Sequence, residues 1–474
     1  MKLLTTKYYF LYSILFIFLF SISSCKKDSF ITSADAALST SDDILKYDTV
    51  FTSIGSITKS FTIRNENDRK LLISNIKLMG GNASPYKINI NGIAAQEVND
   101  IELPAEDSMY VFVTVNINPN LADLPFIVKD SIQIQYNGNT KFVQLEAFGQ
   151  NANFLRDGFI ESNTTWNNRL PYVILDRLRI DTGVTLTLDS GCKVYCHANA
   201  PVLIDGTLIT NGTKEQPVVF AGDRTDEDYR DLPASWPGLY FRETSKNNEL
   251  NFTTVKNAYQ AIVAESPSGN AFPKVTMHQC IVDNAYDAGV LCVNSSLFAD
   301  NSLISNCGSN INIILGGVYN FTNCTVASYS TFLSHTSPVL TATDFASVNG
   351  STVVSPLDAK FINCIFWGEA GFVENEISIT QQAAISNTVE FNNCLYRANT
   401  DPVNTTINAG CIRNEDPAFD SIDVSKRIFD FHLTKNFSMA VDAGINNTGF
   451  QKDLDNNSRI LNAITDIGCY EKPL

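Results

Sequence analysis

Two runs of acidic residues and one recurring amide–thiol pair are where residue type and spacing could do chemistry in this chain. The run DRTDEDYRD brings Asp223, Asp226, Glu227, Asp228 and Asp231 together just before Trp236. Carboxylates beside an indole ring suit a hydroxyl-rich ligand, so Asp223, Asp226, Asp228 and Trp236 are candidate binding residues, with a solvated charged turn as the plain alternative. In DLDNNS, Asp453, Asp455 and Asn457 alternate as at the start of a calcium loop, although the glycine and distal glutamate of such a loop are missing. Calcium is the one cofactor suggested. The alternative is a segment that caps a turn. The four histidines, His197, His278, His335 and His432, are scattered, and no Cys-x-x-Cys occurs, so a zinc ribbon or a thioredoxin-type site has no support.

The amide–thiol pair recurs in NFTNCTVAS, KFINCIFWG and EFNNCLYRA. Aligned on the cysteine, the repeat takes in Val255, Cys280, Cys307, Cys324, Cys364 and Cys394, with Phe252, Met277, Ile304, Phe321, Phe361 and Phe391 three positions earlier. Apolar residues at −3, 0 and +2 cannot share one face of an uninterrupted strand, so the parity must slip at the residue before the cysteine. Asparagine accepts left-handed backbone angles and bonds the backbone with its own amide, which suits a tight bend between strands. Stacking such units predicts an all-β, right-handed parallel β-helix, with Asn306, Asn323, Asn363 and Asn393 laddered at a corner and Cys307, Cys324, Cys364 and Cys394 packed inside. No histidine or basic residue adjoins these thiols, so they are expected as packing and not as nucleophiles. NAYQAIV and NAYDAGV repeat at about one coil's spacing, and the forty residues between Cys324 and Cys364 must hold either a long excursion or a coil without the motif.

At 474 residues the chain has room for two or three domains. Residues 44–150 read as short alternating strands broken by Gly, Pro and Asn, the pattern of an antiparallel β-sandwich. Residues 151–474 carry the repeat and a C-terminal cap. The net charge of −16 argues against a phosphate-binding surface, so nucleic acid is not an expected partner. Residues 1–24 have the basic start, apolar run and small-residue end of a signal peptide. Residues 25–43 read as a flexible tether.

ISSC followed by KKD resembles the lipobox of Bacteroidetes outer-membrane lipoproteins, which implies acylation of Cys25 and a membrane held through lipid, on the periplasmic or the outer side. The sandwich segment resembles bacterial immunoglobulin-like modules related to the spindle- and cilium-associated family, through Thr49 to Phe51, Phe61 to Asn65, Asp107 to Val115 and Leu145 to Gly149. TGVTLTLDSGCKVYC, WPGLYF and the terminal DPAFD, AVDAG and DLDNNSR before DIGCYE resemble Bacteroidetes right-handed β-helix proteins of the pectin-lyase-like fold; Cys469 and Asn456 depart from that terminal pattern. The resemblance implies a fold that hosts many activities. Sugar-bond hydrolysis needs two carboxylates roughly 5 to 10 Å apart. The expected outward rows, Thr253, His278, Ser305, Thr322, Ile362, Asn392 and Lys256, Ile281, Gly308, Thr325, Ile365, Leu395, hold no acid. The polygalacturonase-like motif set is also missing. The reading is a non-catalytic binding or adhesion scaffold of the cell envelope, contacting polysaccharide or another envelope protein. A polysaccharide lyase or glycoside hydrolase, and a purely structural protein, are the alternatives.

Overall fold

The structure is a computed structural model, and it describes residues 29–369, 371–382, 387–433, 437–461 and 464–472. The signal segment and Cys25 lie outside these residues. No α-helix occurs among the described residues; one short 3-10 turn spans Gly81–Ala83. The chain divides into two compact units, residues 1–150 and 151–474.

The first unit consists of two sheets that share one core. One contains Lys70–Leu78, Phe126–Tyr136, Asn139–Gln150 and Ile44–Phe51, and the other contains Lys59–Asn65, Ser108–Val115 and Tyr86–Ile90. Ser108–Val115 alternates exposed and buried residues, so Met109, Val111, Val113 and Val115 point inward beside Phe61, Ile63 and Ile73. Tyr47 is buried there, and its hydroxyl donates to the Val113 carbonyl at 2.5 Å. The stretch expected as a tether is strand-paired from Phe30 onward: Phe30–Ile31 runs parallel to Lys70–Leu78, and Leu38–Thr40 is antiparallel to Lys59–Asn65. Its apolar residues explain the difference, since Ala36 is buried and Ile31 and Leu38 pack against the core.

The second unit is made of large parallel sheets, an arrangement compatible with a parallel β-helix. An eleven-stranded sheet and a seventeen-stranded sheet take turns along the chain, each new strand pairing parallel with its equivalent one turn back. The larger sheet holds two such columns, joined where Ala288–Asp300 and Ser309–Thr322 run through both. Interior side chains stack in register: Phe321, Phe361 and Phe391 have ring centroids 5.6 and 4.8 Å apart, with Cys324, Cys364 and Cys394 fully buried beside them. Each stacked pair adds roughly 0.5–1.5 kcal/mol beyond simple burial. The interval between Cys324 and Cys364 is one enlarged turn. It carries Leu340–Thr343, which joins the large sheet, and the antiparallel hairpin of Phe345–Val348 with Ser351–Val354.

The segment expected as a C-terminal cap contacts many turns of the stack. It lies along the outer face of the eleven-stranded sheet, where Phe419, Phe431, Leu433, Leu454, Ile467 and Tyr470 bury Leu303, Ala327, Ile365 and Leu395 in a separate core. The sequence explains the placement. These outward strand positions are apolar, and an apolar outer face must be covered. Hydrogen bonds fix the segment across many turns: Gln279 Nε2 donates to the Asp453 carbonyl at 2.6 Å, Gly468 N to the Asn363 carbonyl at 2.8 Å, and Cys469 N to Thr325 Oγ1 at 3.0 Å.

Candidate functional site

Two different corners carry left-handed residues. At the first, between the large sheet and the eleven-stranded sheet, Phe252, Gln279, Asn301, Asn323, Asn363 and Asn393 have φ between 41° and 55°. Asn363 Nδ2 donates to Asn323 Oδ1 at 2.9 Å, and Asn323 Nδ2 to Asn301 Oδ1 at 3.3 Å. Three of the four expected doublets meet here. The fourth, Asn306–Cys307, does not: strand register aligns Ile304 with Val282 and Ser305 with Asp283, which puts Asn306 at the second corner with Asn257 and Asn284, at φ 54°, 61° and 57°. The same correction moves the FTTV copy, because Leu250 and not Phe252 pairs with Met277. The outward row before the first corner is therefore Asn251, His278, Asp300, Thr322, Ile362 and Asn392, and it does contain an acid. His278 Nδ1 lies 2.5 Å from Asp300 Oδ2, and that hydrogen bond raises the imidazole pKa.

The second corner forms the candidate site. Asn284 Nδ2 donates to Asn257 Oδ1 and to the Asp231 carbonyl, both at 2.8 Å, and Asn257 Nδ2 to the Arg230 carbonyl at 2.7 Å. The amide ladder thus staples the end of the acidic loop to the stack. Asp283 closes the strand before Asn284 and accepts from Ser305 Oγ at 2.7 Å. Burial pushes its carboxyl pKa up, against the opposing pull of Ser305, Asn306 and Lys256. Lys256 Nζ lies 4.0 Å from Asp231 Oδ1. Opposite stand Thr331 and Phe332, with Arg427 and Phe429 from the C-terminal segment; the Arg427 guanidinium lies 3.6 Å over the Phe332 ring. Together these side chains line an open cavity of ≈ 210 Å³.

The loop that presents Phe332 is anchored by a buried ion cluster. Glu376, fully buried, meets His335 Nε2 at 3.0 Å and Arg397 Nη1 at 3.1 Å. Its second oxygen accepts from Val339 N at 3.3 Å. Hydrogen bonds from Ser330 hold the neighbouring Glu369 carboxyl below its ordinary pKa. Two polar atoms at the cavity, Asn284 Oδ1 and Thr331 Oγ1, are buried without a protein partner. Such atoms cost about 1–3 kcal/mol each. Outside the cavity, Tyr259 and Tyr286 are exposed and stacked at 5.6 Å, two residues beyond Asn257 and Asn284.

The residues singled out in sequence fare unevenly. Asp223 pairs with His197 Nδ1 at 2.7 Å, and Asp226 is gripped by Arg224 at 2.7 and 3.0 Å. Asp228 is exposed and does not line the cavity. Trp236 is fully buried in the interior, donating from Nε1 to the Lys256 carbonyl at 2.9 Å. Of that acidic run, Asp231 alone lines the cavity. The calcium trio is also dispersed in its bonding. Asp453 accepts from Asn457 N at 2.7 Å and Glu471 N at 2.9 Å, whereas Asp455 pairs with Lys214 and with His432 Nε2 at 2.8 Å. Asp453 and Asn457 thus close a turn, and among the described residues no three His, Cys, Asp or Glu side chains are placed to hold a metal. The sequence signal for this candidate site was the NAY repeat, each copy preceded by Lys256 or Asp283. Phe332, Arg427 and Phe429 come from distant segments with no such signal.

No family model and no curated protein matches this chain. Structural likenesses are slight. The Vibrio cholerae VesB protease is 15% identical at TM-score 0.18, over 24% of this chain and 31% of that one. A Porphyromonas gingivalis W83 protein of unknown function is 8% identical at TM-score 0.18, over 27% and 60%. The ASH / PapD-like domain of human CEP192 is 9% identical at TM-score 0.18, over 27% and 94%. This chain therefore spans about a third of the length of the first of these, and likenesses at this level carry no argument about fold or function.

Proposed function

We propose that this protein is a lipid-anchored protein of the outer membrane that binds a glycan without cleaving it. In this reading Cys25 carries the acyl chains, and an immunoglobulin-like sandwich spaces a right-handed, pectin-lyase-like β-helix from the bilayer, on its periplasmic or outer side. Parallel crossovers are right-handed in about 98% of cases, which supports that hand. The carrying observation is the second-corner cavity, where aromatic walls, a ladder of amides and unpartnered polar atoms converge. Sugar rings offer apolar C–H faces to rings such as Phe332 and hydroxyls to amides and carboxylates. The exposed Tyr259–Tyr286 stack would extend the contact along the turns.

A second reading, a polysaccharide lyase or glycoside hydrolase, is favoured by the meeting of Asp231 and Asp283 with Lys256 and Arg427 in the same cavity. Two carboxylates facing one groove, one of them with its pKa raised by burial, are the kind of pair an acid–base mechanism uses. One experiment separates the two: incubate the protein with acidic and neutral polysaccharides, and measure retention together with release of unsaturated or reducing ends. Binding lost in Arg427→Ala and Asp283→Asn, with no new chain ends, supports the binder. Chain ends that vanish in Asp283→Asn establish the enzyme. Absence of both overturns the glycan reading and leaves a structural or protein-binding role.

A further inference from the structure

A second cavity, of ≈ 330 Å³, opens where the two columns of the large sheet meet. The backbone makes it. Strand Ala288–Asp300 slips register at Asn294, which has φ 45°, and the next strand answers with Gly316 and Gly317 at φ 67° and 117°. Gly317 is required: a Cβ there would sit 2.2 Å from the Ser295 carbonyl oxygen. Over this notch leans the 266–274 loop, which is firmly held. Asn270 Oδ1 accepts from Phe272 N at 2.9 Å, and the buried Lys274 gives its ammonium to the carbonyls of Arg242 at 2.9 Å, Glu243 at 3.0 Å and Glu265 at 2.5 Å. Phe272 is thus fixed in place while its side chain stays largely in water, 68% exposed.

The lining is chemically selective. Phe272, Phe298 and Val318 supply apolar surface, Ser268 and Ser296 supply hydroxyls, and no Asp, Glu, Lys, Arg or His lines it among the described residues. Ser295, 2% exposed, also lines it. A lining without charge offers no ion pair to a uronate, a phosphate or a metal ion, and its serine and asparagine side chains suit an occupant with hydroxyls better than a purely apolar one. The volume is at the lower end of small-ligand pockets, roughly 300–1,000 Å³.

We infer that this cavity is a binding site for a neutral pyranose unit of a glycan chain, with Phe272 stacked on the sugar's C–H face. It is built from residues separate from the second-corner cavity, so each site can fail alone. The test is native affinity electrophoresis in gels containing galactomannan or mixed-linkage β-glucan, with polygalacturonate as the anionic comparison. Wild-type protein is retarded by a neutral polymer; Phe272→Ala lowers the apparent affinity at least fivefold, and Phe272→Tyr restores it. Because Phe272 is exposed, its substitution leaves the fold intact, which far-UV circular dichroism checks. Retardation that Phe272→Ala keeps, retardation by polygalacturonate alone, or none by either neutral polymer overturns the inference. Loss in Asp283→Asn with retention in Phe272→Ala would assign binding to the other cavity.

Discussion

Asn363 is the residue on which the first corner and the C-terminal segment both depend, so its replacement tests the architecture most sharply. Its backbone sits at φ 52° and its side chain is fully buried. The amide donates to Asn323 Oδ1 at 2.9 Å and to the Ile445 carbonyl at 3.0 Å, and Oδ1 accepts from Ile445 N at 2.7 Å. Asn363→Gly keeps the backbone geometry and loses three hydrogen bonds, about 3 kcal/mol at roughly 1 kcal/mol each. Asn363→Ala loses the same bonds but keeps a left-handed Cβ that glycine lacks, so it should be less stable than Asn363→Gly by about 1–2 kcal/mol. Hydrogen exchange at the Ile445 amide reads the first effect. At about 1.4 kcal/mol per tenfold, loss of 3 kcal/mol speeds exchange roughly 100-fold in both variants. The urea midpoint reads the second, and it should fall further for Ala than for Gly. Unchanged protection at Ile445 would refute the docking of the C-terminal segment on the ladder. Equal midpoints for Ala and Gly would refute the claim that asparagine is there for its backbone angle.

Three further outcomes follow from the same geometry. Cys411 is only half-buried, and its hydrogen bond with Cys394 brings its pKa down to about 7, whereas burial pushes the thiols of Cys192, Cys280 and Cys292 up to about 12; iodoacetamide at pH 7.5 should label Cys411 first, and mass spectrometry of the folded protein finds it or does not. Burial raises the Glu471 pKa from 4.5 to about 7 despite Arg459 at 2.9 Å. The native carboxyl therefore holds its proton more tightly than the unfolded chain does, and stability present below pH 4.5 is lost as pH rises through about 7. Urea midpoints at pH 5 and pH 8 should show this fall, and Glu471→Gln should remove it. Gly238 has φ 130°, and a Cβ there would lie 1.7 Å from the Gln260 carbonyl oxygen, so Gly238→Ala should cost about 3–5 kcal/mol, measured as a lowered thermal midpoint.

The sequence made the parallel stack legible because a stack repeats its local rules. A phenylalanine, a left-handed asparagine and a buried cysteine recur at Phe321–Cys324, Phe361–Cys364 and Phe391–Cys394, and each turn needs the same bend. The rule failed where the bend used another residue. Phe252 and Gln279 hold left-handed angles without the asparagine signature, and Asn301 precedes Ser302 in place of a cysteine. Asn306–Cys307, which has the signature, belongs to a different corner because asparagine answers the same backbone demand at every bend. That single slip of register hid Asp300 from the outward row and left the row apparently free of acids. The cavity at the second corner was hidden for another reason. Asp231, Thr331 and Arg427 each come from an excursion beyond the strands, and nothing periodic ties an excursion to the turn on which it lands. What brings them together is the apolar outer face of the eleven-stranded sheet, which draws the C-terminal segment back along the stack and delivers Arg427 and Phe429 opposite Asp283. The covering of that face and the formation of the cavity are therefore one event. Weakening the first, as Asn363→Ala should, must also loosen the second, so glycan retention that survives a detached C-terminal segment would separate the binding site from Arg427.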